Sequence, residues 1–230
     1  MDRINKFLAV RTGLSRRDAD KAVEAGRVRV NGKIPEGPWV QVSDKDKVLL
    51  DGSQVSAGEF FYWAFYKPIG VLTAYGDGQG KDTLEKYAFF REVKPAYSGR
   101  LDYDSEGLII FSNDGDFIRR LQKADEKFEK EYIVTVNKML KKHEVEELRK
   151  GIKYENTKYR PCSIEQHSHD RYQVILHEGK NRQIRNMFRN YGVTVKKLKR
   201  VRIGTVNLNE LKPGEFREFA PKEIREMLDV

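Results

Sequence analysis

The residues best suited to do chemistry lie in one short, acidic segment. From Gly99 to Gly107 the sequence reads GRLDYDSEG, with Arg100 two residues before Asp102. The apolar run LIIF follows it and predicts a buried strand. A carboxylate held beside a buried strand and near an arginine can act as a nucleophile or as a proton acceptor. A purely structural turn rich in acids has the same composition, so both interpretations stay open at this point.

Two familiar binding loops match neighbouring segments only in part. Acids at 102, 104 and 106 followed by a glycine have the spacing of the first half of an EF-hand loop, but its twelfth position is Asn113 rather than Glu, and a strand follows where a helix is required. The run GDGQGK at 76–81 has Tyr75 in place of the first Walker glycine and Asp82 in place of the Ser or Thr. We therefore expect neither calcium binding at the first segment nor phosphate binding at the second.

Other cofactor chemistry has no support in the sequence. The four histidines have no metal spacing completed by other ligands. The single cysteine, Cys162, excludes an intrachain disulfide and a zinc site built on several cysteines. No nucleophile elbow of the G-x-S-x-G kind is present. We expect neither a metal nor a cofactor.

The positive charge of the chain is concentrated near its C-terminal end. The net charge is +9 over 230 residues, yet residues 178–217 contain eleven Lys and Arg against three Glu and so carry +8. In a helix predicted over Asn181–Tyr191, Arg182, Arg185 and Arg189 share one face, and apolar residues take the other. Acids three or four residues away, which an ordinary solvated helix would provide, are missing. The pattern favours an anionic partner, with nucleic acid the leading candidate.

The chain divides into two units joined by a polar linker over Gln54–Glu59. In residues 1–55 we expect a helix that ends at Gly13, a second helix capped by Ser15, and a small sheet around the turn signal Asn31-Gly32. The basic residues of this unit that could form a binding patch are Lys6, Arg16, Arg17, Lys21, Arg27 and Arg29.

Residues 60–230 alternate between strand and helix patterns. The expected strands are Phe60–Tyr66, Leu108–Ser112, Tyr132–Val136, Tyr172–His177, Val193–Val195, Val201–Ile203 and Val206–Leu208; the expected helices are Phe117–Lys123, Lys141–Lys150 and Asn181–Tyr191. Long crossover helices between successive strands are few, which predicts an α+β fold: a small N-terminal α-β unit followed by a mixed α/β unit with a mainly antiparallel sheet. No apolar run reaches the ~20 residues of a membrane span, and no signal peptide opens the chain, so we expect a soluble, cytoplasmic protein.

Five segments, in order along the chain, resemble the motifs of one enzyme family. They are Lys67-Pro68-Ile69-Gly70, the segment from Gly99 to Ile109 with Asn113-Asp114-Gly115, Lys130 to Val134, Glu178 to Met187, and Ile203-Gly204. Together they resemble the RsuA-type branch of the RNA pseudouridine synthases, which modify ribosomal RNA. The segments around Ser15 and from Gly26 to Gly32 are similar to an S4 RNA-binding domain. The resemblance extends over nearly the whole chain.

This resemblance implies a role for each matching residue. Asp102 would be the essential carboxylate that turns a uridine into pseudouridine, whether it attacks the sugar, attacks the base or acts as a base. Arg185 would pair with Asp102, Tyr132 would stack on the target base, and Arg100 would fill the gap that the flipped uridine leaves.

The RNA itself would be bound by basic and polar residues of both units. They are Lys6, Arg16, Arg17, Arg27, Arg29, Lys67, Lys180, Asn181, Arg182, Gln183 and Arg189. For Lys67 the resemblance leaves two roles open, a structural one and phosphate binding. The expected partner is ribosomal RNA or a ribosome assembly intermediate, bound by a monomer, without cofactor and without a membrane. One departure is Asn186, which stands where the branch more often has a basic residue. The alternative function is an inert RNA-binding assembly factor, and the intact Asp102, Arg100, Tyr132 and Arg185 argue against it.

Overall fold

The computed structural model describes residues 1–56, 58–123 and 128–228, which form two units, each with its own apolar core. The N-terminal unit contains β1 (Asp2–Arg3), α1 (Ile4–Thr12), α2 (Arg16–Glu24), β2 (Val28–Val30), β3 (Gln41–Val42), β4 (Val48–Leu50) and β5 (Ser53–Gln54). Its core lies among residues 4–55 alone, with Ile4, Leu8 and Ala19 fully buried.

Local signals in the sequence explain the elements of the N-terminal unit. Helix α1 ends at Gly13, whose φ of 73° is easy only for glycine. Ser15 caps α2, and its Oγ accepts a hydrogen bond from the amide of Asp18 at 3.1 Å. Asn31 and Gly32, both with positive φ, form the expected tight turn. The turn closes a single bridge, however, and the main partner of β2 is the antiparallel strand β4.

The larger unit begins at a strand rich in aromatic residues and ends at a helix. Its elements are β6 (Tyr62–Lys67), a 3-10 turn (Leu84–Lys86), α3 (Ala88–Glu92), β7 (Ala96–Tyr97), β8 (Glu106–Ser112), α4 (Gly115–Gln122), β9 (Lys130–Val136), α5 (Lys142–Lys150), β10 (Lys153–Tyr154), β11 (Thr157–Lys158), β12 (Ser163–Ser168), β13 (Arg171–Leu176), α6 (Gln183–Arg189), β14 (Val195–Ile203), β15 (Val206–Asn207), β16 (Phe216–Glu218) and α7 (Pro221–Leu228). The predicted α+β fold with a mainly antiparallel sheet is confirmed.

A nine-stranded sheet forms the centre of this unit. Its strands lie in the order β12-β13-β9-β14-β8-β6-β16, with β15 beside β14 and β7 beside β8. Neighbours pair antiparallel except β14 and β8, which run parallel with Arg200 opposite Gly107. The two short strands expected at 193–195 and 201–203 are wrong: one strand, β14, runs without a break from Val195 to Ile203, and the lysines between the two expected strands concealed its continuity in the sequence.

Helices cover both faces of the sheet. On one face, α5 and α6 pack Leu148 and Phe188 against strand residues such as Val134. On the other, α4 and α7 pack Phe117 and Met227 against Ile110. No helix among the residues described here is long and apolar enough to cross a bilayer.

The two units are joined by the side chain of Asn113. Its Nδ2 donates to the carbonyl oxygens of Val10 at 2.8 Å and of Glu59 at 3.0 Å, and its Oδ1 accepts from the amide of Phe61 at 3.0 Å. Lys6 adds an ion pair to Asp116 at 2.8 Å. One amide side chain thereby holds the end of α1, the linker and the start of β6, a contact that the sequence did not indicate.

The parallel pair depends on a glycine. Gly107 has a φ of +116°, and a Cβ on it would lie 2.2 Å from the carbonyl oxygen of Arg200 and 2.6 Å from its amide nitrogen. Because both atoms belong to the backbone of the neighbouring strand, no side-chain rotation can relieve the contact. The backbone of Arg200 can come this close to β8 only because residue 107 has no side chain.

We therefore predict that Gly107→Ala lowers the free energy of unfolding by about 3 kcal/mol or more, and the melting temperature by about 6–12 °C. Gly115→Ala is the matched control, since Gly115 begins α4 with open space around its Cα and no positive φ. It should be neutral or slightly stabilising. Thermal unfolding followed by circular dichroism measures both, and equal stability of the two variants would contradict the strand contact.

Candidate active site

Two chain segments that lie about 80 residues apart in sequence enclose a cavity of about 440 Å³. One segment runs from Gly99 to Ser105 before β8, and the other from Gly179 to Ile184 at the start of α6. Tyr132 on β9 and Leu198 on β14 complete the walls. The first segment leads directly into β8, and the second leads through α6 to β14. The cavity that they enclose brings both together beside the parallel pair.

Asp102 faces this cavity from a backbone that is fixed on both sides. Thr73 Oγ1 donates to the carbonyl of Leu101 at 2.8 Å and accepts from its amide at 3.2 Å. The Asp102 carbonyl in turn accepts from the amide of Ser105 at 3.1 Å. The Asp102 side chain is 31% exposed, so its carboxylate can meet a substrate. Sequence reasoning missed Thr73, since a lone threonine in an apolar run gives no signal.

The arginines are paired differently from the prediction. The expected pair between Asp102 and Arg185 is wrong: Asp102 Oδ2 lies 3.4 Å from Arg182 Nη1, and Arg185 Nη2 lies 3.2 Å from Asp104 Oδ1. Arg182 also contacts Asp104, at 3.2 Å. Partial burial acts to raise the pKa of Asp104, but the Arg182 hydrogen bond and the Arg185 charge outweigh it and lower that pKa.

Arg185 is buried and serves as an internal clamp. Its side chain is only 8% exposed; it donates to the carbonyls of Val195 at 3.0 Å and Asp104 at 2.8 Å and to Ser105 Oγ at 3.1 Å. Burial lowers the pKa of this guanidinium, and the charge of Asp104 opposes the shift. The prediction that Arg185 shares an exposed face with Arg182 and Arg189 is therefore wrong. The clamp ties the acidic loop to the first residue of β14.

A second network shapes the loop that carries Arg182. Glu178, 4% exposed, accepts from Gln183 Nε2 and from the amide of Arg160, both at 2.9 Å. Gln183 Oε1 accepts from the amide of Lys180 at 3.1 Å. Gln183, expected to contact RNA, is buried, and both the oxygen and the nitrogen of its side-chain amide form hydrogen bonds inside the protein. Sequence reasoning missed the bracing role of Glu178.

The same network limits the helix. The predicted helix over 181–191 is reduced to Gln183–Arg189, and it starts only at Gln183 because Arg182, its N-cap, has φ 48° and ψ 29°. A left-handed arginine is strained unless its surroundings hold it, and such strain is common at functional sites. Here it turns the Arg182 side chain toward Asp102 and Asp104, whereas a helical Arg182 would follow the α6 surface.

Tyr132 and apolar side chains form the remaining wall of the cavity. Tyr132 is 7% exposed and lies directly opposite Arg200 on β14. Leu101, Leu176, Ile184 and Leu198 line the cavity with it. An aromatic ring among aliphatic side chains, with one carboxylate and an arginine nearby, can hold a flat polar ring such as a nucleobase. Arg100, exposed, stands at the edge of this cavity.

Three further cations are buried behind the cavity. Lys67, expected to bind RNA, is fully buried, and its Nζ donates to the carbonyls of Pro68 and Val71, both at 2.7 Å. Of the two roles expected for Lys67, phosphate binding is wrong, and the burial and hydrogen bonds agree with the structural role. Arg200, 2% exposed, donates from Nε to the carbonyl of Leu108 at 2.7 Å. Lys130 is 7% exposed.

Burial has the expected effect on the two lysines. It lowers the pKa of Lys67 to about 8, although Asp102, Asp104 and Glu106 act to raise it. It also lowers the pKa of Lys130 to about 8, helped by the charge of Arg200. The protein tolerates charge in its interior here, beside the acidic loop.

The other predicted RNA-binding residues are distributed over both units. Lys6 and Arg27 are engaged in ion pairs, Lys6 with Asp116 and Arg27 with Asp51. Exposed residues that can reach a ligand are Arg16, Arg17, Arg29 and Arg189. Lys180 and Asn181 line the cavity, and Lys180 also pairs with Glu178 at 3.3 Å. Within 1–56, 58–123 and 128–228, no group of three or more His, Cys, Asp and Glu could hold a metal ion.

The buried lysines predict an unusual dependence of stability on pH. Between pH 8 and 10.5, the folded and unfolded pKa values, the folded protein binds fewer protons at Lys130 than the unfolded chain. The free-energy cost of burying this charge in the folded protein is thus present in full below pH 8, and it disappears as the pH rises from 8 toward 10.5. We predict that Lys130→Met is more stable than the wild type at pH 7 by about 1 kcal/mol or more. Its advantage should shrink by up to about 1.4 kcal/mol per pH unit in this window.

Urea unfolding at pH 7, 8, 9 and 10 measures this difference, with the exposed Lys138→Met as the control. The control should differ from the wild type by a constant amount. A Lys130→Met difference that also stays constant with pH would contradict the burial of a titrating charge.

Comparisons with known proteins agree with this geometry. A family model described as RNA pseudouridylate synthase matches residues 61–190, and one described as S4 domain matches residues 2–36.

Ribosomal large subunit pseudouridine synthase B of Bacillus subtilis (strain 168) is 34% identical, over 99% of this chain and 96% of its own length. The dual-specificity RNA pseudouridine synthase RluF of Escherichia coli (strain K12) is 33% identical, over 99% of this chain and 79% of its own length. A crystal structure of a pseudouridylate synthase aligns with a TM-score of 0.70 and 28% identity, over 99% of this chain and all of its own. All residues that line the cavity around Asp102 except Leu198 lie within the range matched by the synthase model, and the chain belongs to the RNA pseudouridine synthase family, with an S4 domain at its N-terminus.

Proposed function

We propose that this protein converts a specific uridine of ribosomal RNA to pseudouridine, with Asp102 as the essential carboxylate. The observation that carries the proposal is the placement of Asp102. It is the acid of the 99–107 segment that lines a cavity large enough for a base, with Tyr132 and Arg182 beside it. The ribosomal substrate is supported by the name of one relative, the ribosomal large subunit pseudouridine synthase B, and the name of the other, RluF, agrees with an RNA substrate.

The reaction is an isomerisation that needs no outside reactant. The bond between C1′ of the sugar and N1 of the base breaks, and a new bond forms between C1′ and C5. The proton on C5 leaves to solvent, and N1 gains one. An ionised carboxylate at Asp102 can act on the sugar or on C6 of the base. Arg182 Nη1 lies 3.4 Å from this carboxylate and can contact the same substrate.

The target uridine must leave its stack before it can reach Asp102. Tyr132 offers its ring as the new stacking partner, and Arg100, at the cavity edge, fills the gap left in the RNA. The RNA around the entrance of the cavity is contacted by Lys180, Asn181, Arg182 and Arg189. The side chain of Arg185 acts one layer deeper, by holding the loop that bears Asp102.

The N-terminal S4 unit adds affinity for structured RNA. We propose residues 1–55 as the RNA-holding domain and residues 60–230 as the catalytic domain, a division that the separate apolar cores support. Arg16, Arg17 and Arg29 are the exposed cations of the first domain that would bind phosphates. The protein would work as a cytoplasmic monomer on ribosomal RNA or an assembly intermediate.

Replacing Asp102 tests the catalytic assignment. Asp102→Asn keeps the size of the side chain but removes its charge, and we predict a fall in rate of at least about 1,000-fold, a rise in the barrier of about 4 kcal/mol. Release of tritium from 5-tritiated uridine in ribosomal RNA reports the loss of the C5 proton. Asp77→Asn, in a loop outside the cavity, is the matched control and should keep the wild-type rate.

Binding separates the enzyme from the alternative function. Asp102→Asn should still bind ribosomal RNA with the wild-type Kd, because the carboxylate is not one of the phosphate contacts. Tritium release by this variant at the wild-type rate would remove Asp102 as the catalyst. A wild-type protein that binds the RNA and releases no tritium would support the inert assembly factor.

Salt dependence tests the RNA-holding domain. The double variant Arg16→Ala and Arg17→Ala should bind ribosomal RNA more weakly. The magnitude of the slope of log K against log salt should fall by about 1.5–2, because fewer counterions are released from the RNA when two phosphate contacts are lost. The double variant Lys33→Ala and Lys45→Ala removes two exposed cations of the same domain outside the proposed patch. It should leave the slope nearly unchanged, and an equal fall in both would show that position within the domain does not matter.

A further inference from the structure

A second cavity, of about 270 Å³, lies between the two domains. Ala9 and Leu14 line it from the S4 domain, and Tyr75, Pro95 and Tyr97 from the catalytic domain. It exists only because the Asn113 contacts and the Lys6–Asp116 ion pair hold the domains together. Neither domain encloses this space by itself.

This inter-domain cavity adjoins the active-site cavity. Tyr97 lines both, and its carbonyl accepts a hydrogen bond from Gln122 Nε2 at 2.7 Å. Helix α4 connects them too, with Arg119 facing the inter-domain cavity and Gln122 facing the active site. These two residues are one turn apart, a rise of about 4.5 Å. A ligand in the second cavity is therefore a close neighbour of one in the first.

The walls of the inter-domain cavity suit a nucleotide. Four basic side chains line it, Lys6, Arg16, Lys94 and Arg119. Lys6 and Arg119 pair with Asp116, the one acid of the lining, and Lys94 pairs with Glu85, which leaves Arg16 as the lining cation with no acidic partner among the described residues. The rings of Tyr75 and Tyr97 have centroids 5.9 Å apart and stand among small apolar residues. Aromatic faces stack on unpaired bases, and cations at the rim hold the phosphates.

We propose that the inter-domain cavity binds a second nucleotide of the same RNA strand, one that leaves its stack next to the target uridine. The proposal rests on the proposed function and extends it. Asp102 acts on the target uridine alone, whereas the second cavity also selects the nucleotide next to it. An RNA in which both nucleotides can unstack gains contacts to both domains. The docking of the S4 domain thus contributes to the choice of target as well as to affinity.

Filling the cavity without changing its charge tests this. In Ala9→Phe a ring enters the cavity from α1, and in Ala96→Phe it enters from the opposite wall, so that one variant suffices if the other does not fold. Ala25→Phe, exposed on the same S4 domain and outside the cavity, is the matched control. The probe is a ribosomal RNA fragment that contains the mapped target uridine, with 2-aminopurine placed at each flanking position in turn.

With the wild type and Ala25→Phe, 2-aminopurine fluorescence should change strongly on binding at one flanking position. The cavity-filling variants should lose that change and raise Kd about tenfold, and the slope of log K against log salt should stay at its wild-type value because no cation is removed. Wild-type fluorescence and Kd in both cavity-filling variants would overturn the second site. Tritium release by the wild type is measured first, on the same fragment carrying 5-tritiated uridine and no 2-aminopurine, so that failure of the proposed function is seen separately.

Discussion

The contact between Gly107 and the backbone of Arg200 is the constraint on which the active site depends. It lets β14 run parallel to β8 at the centre of a sheet that is otherwise antiparallel. The first four residues of β14 extend beyond the start of β8, and the acidic loop lies beside that extension. Arg185 joins the two, since its guanidinium bonds Val195 on the strand and Asp104 in the loop. Asp102 is thus placed by backbone geometry before any ligand arrives.

A buried guanidinium is costly, and this site buries two, Arg185 and Arg200. Both are tied to backbone carbonyls, and Arg185 has a carboxylate partner in addition. Their positive charge lies beneath a loop that carries three acids, so the loop and the interior compensate each other. The arrangement leaves Asp102, at the rim, with Arg182 as its contact. The exposed arginine can exchange a carboxylate for a phosphate at little cost, whereas the buried one cannot, which separates the binding role from the positioning role.

Much of this site could be predicted from sequence, and the errors have physical causes. Asp102, Tyr132 and Lys180 were found because a motif fixes their order, and the structure brings all three to one cavity. The helical wheel misplaced Arg185, because it assumes that a charged face meets water. Arg182 could not be placed by any periodicity, since its left-handed backbone ends the helix. β12 was missed because only Ile164 along it is buried, so it shows no alternation.

The local charge count has the same weakness. The stretch 178–217 carries +8, but Arg202 pairs with Glu129 and Glu131, and Arg217 pairs with Glu223, all of them acids from outside the stretch. With Arg185 and Arg200 buried as well, the exposed excess is smaller than the sequence suggests. The S4 domain then matters more, because a catalytic surface with fewer free cations needs a second set to hold a polyanion. Docking through Asn113 brings Arg16 to the rim of the inter-domain cavity, next to the active site, so the two sets of cations can act on one strand of RNA.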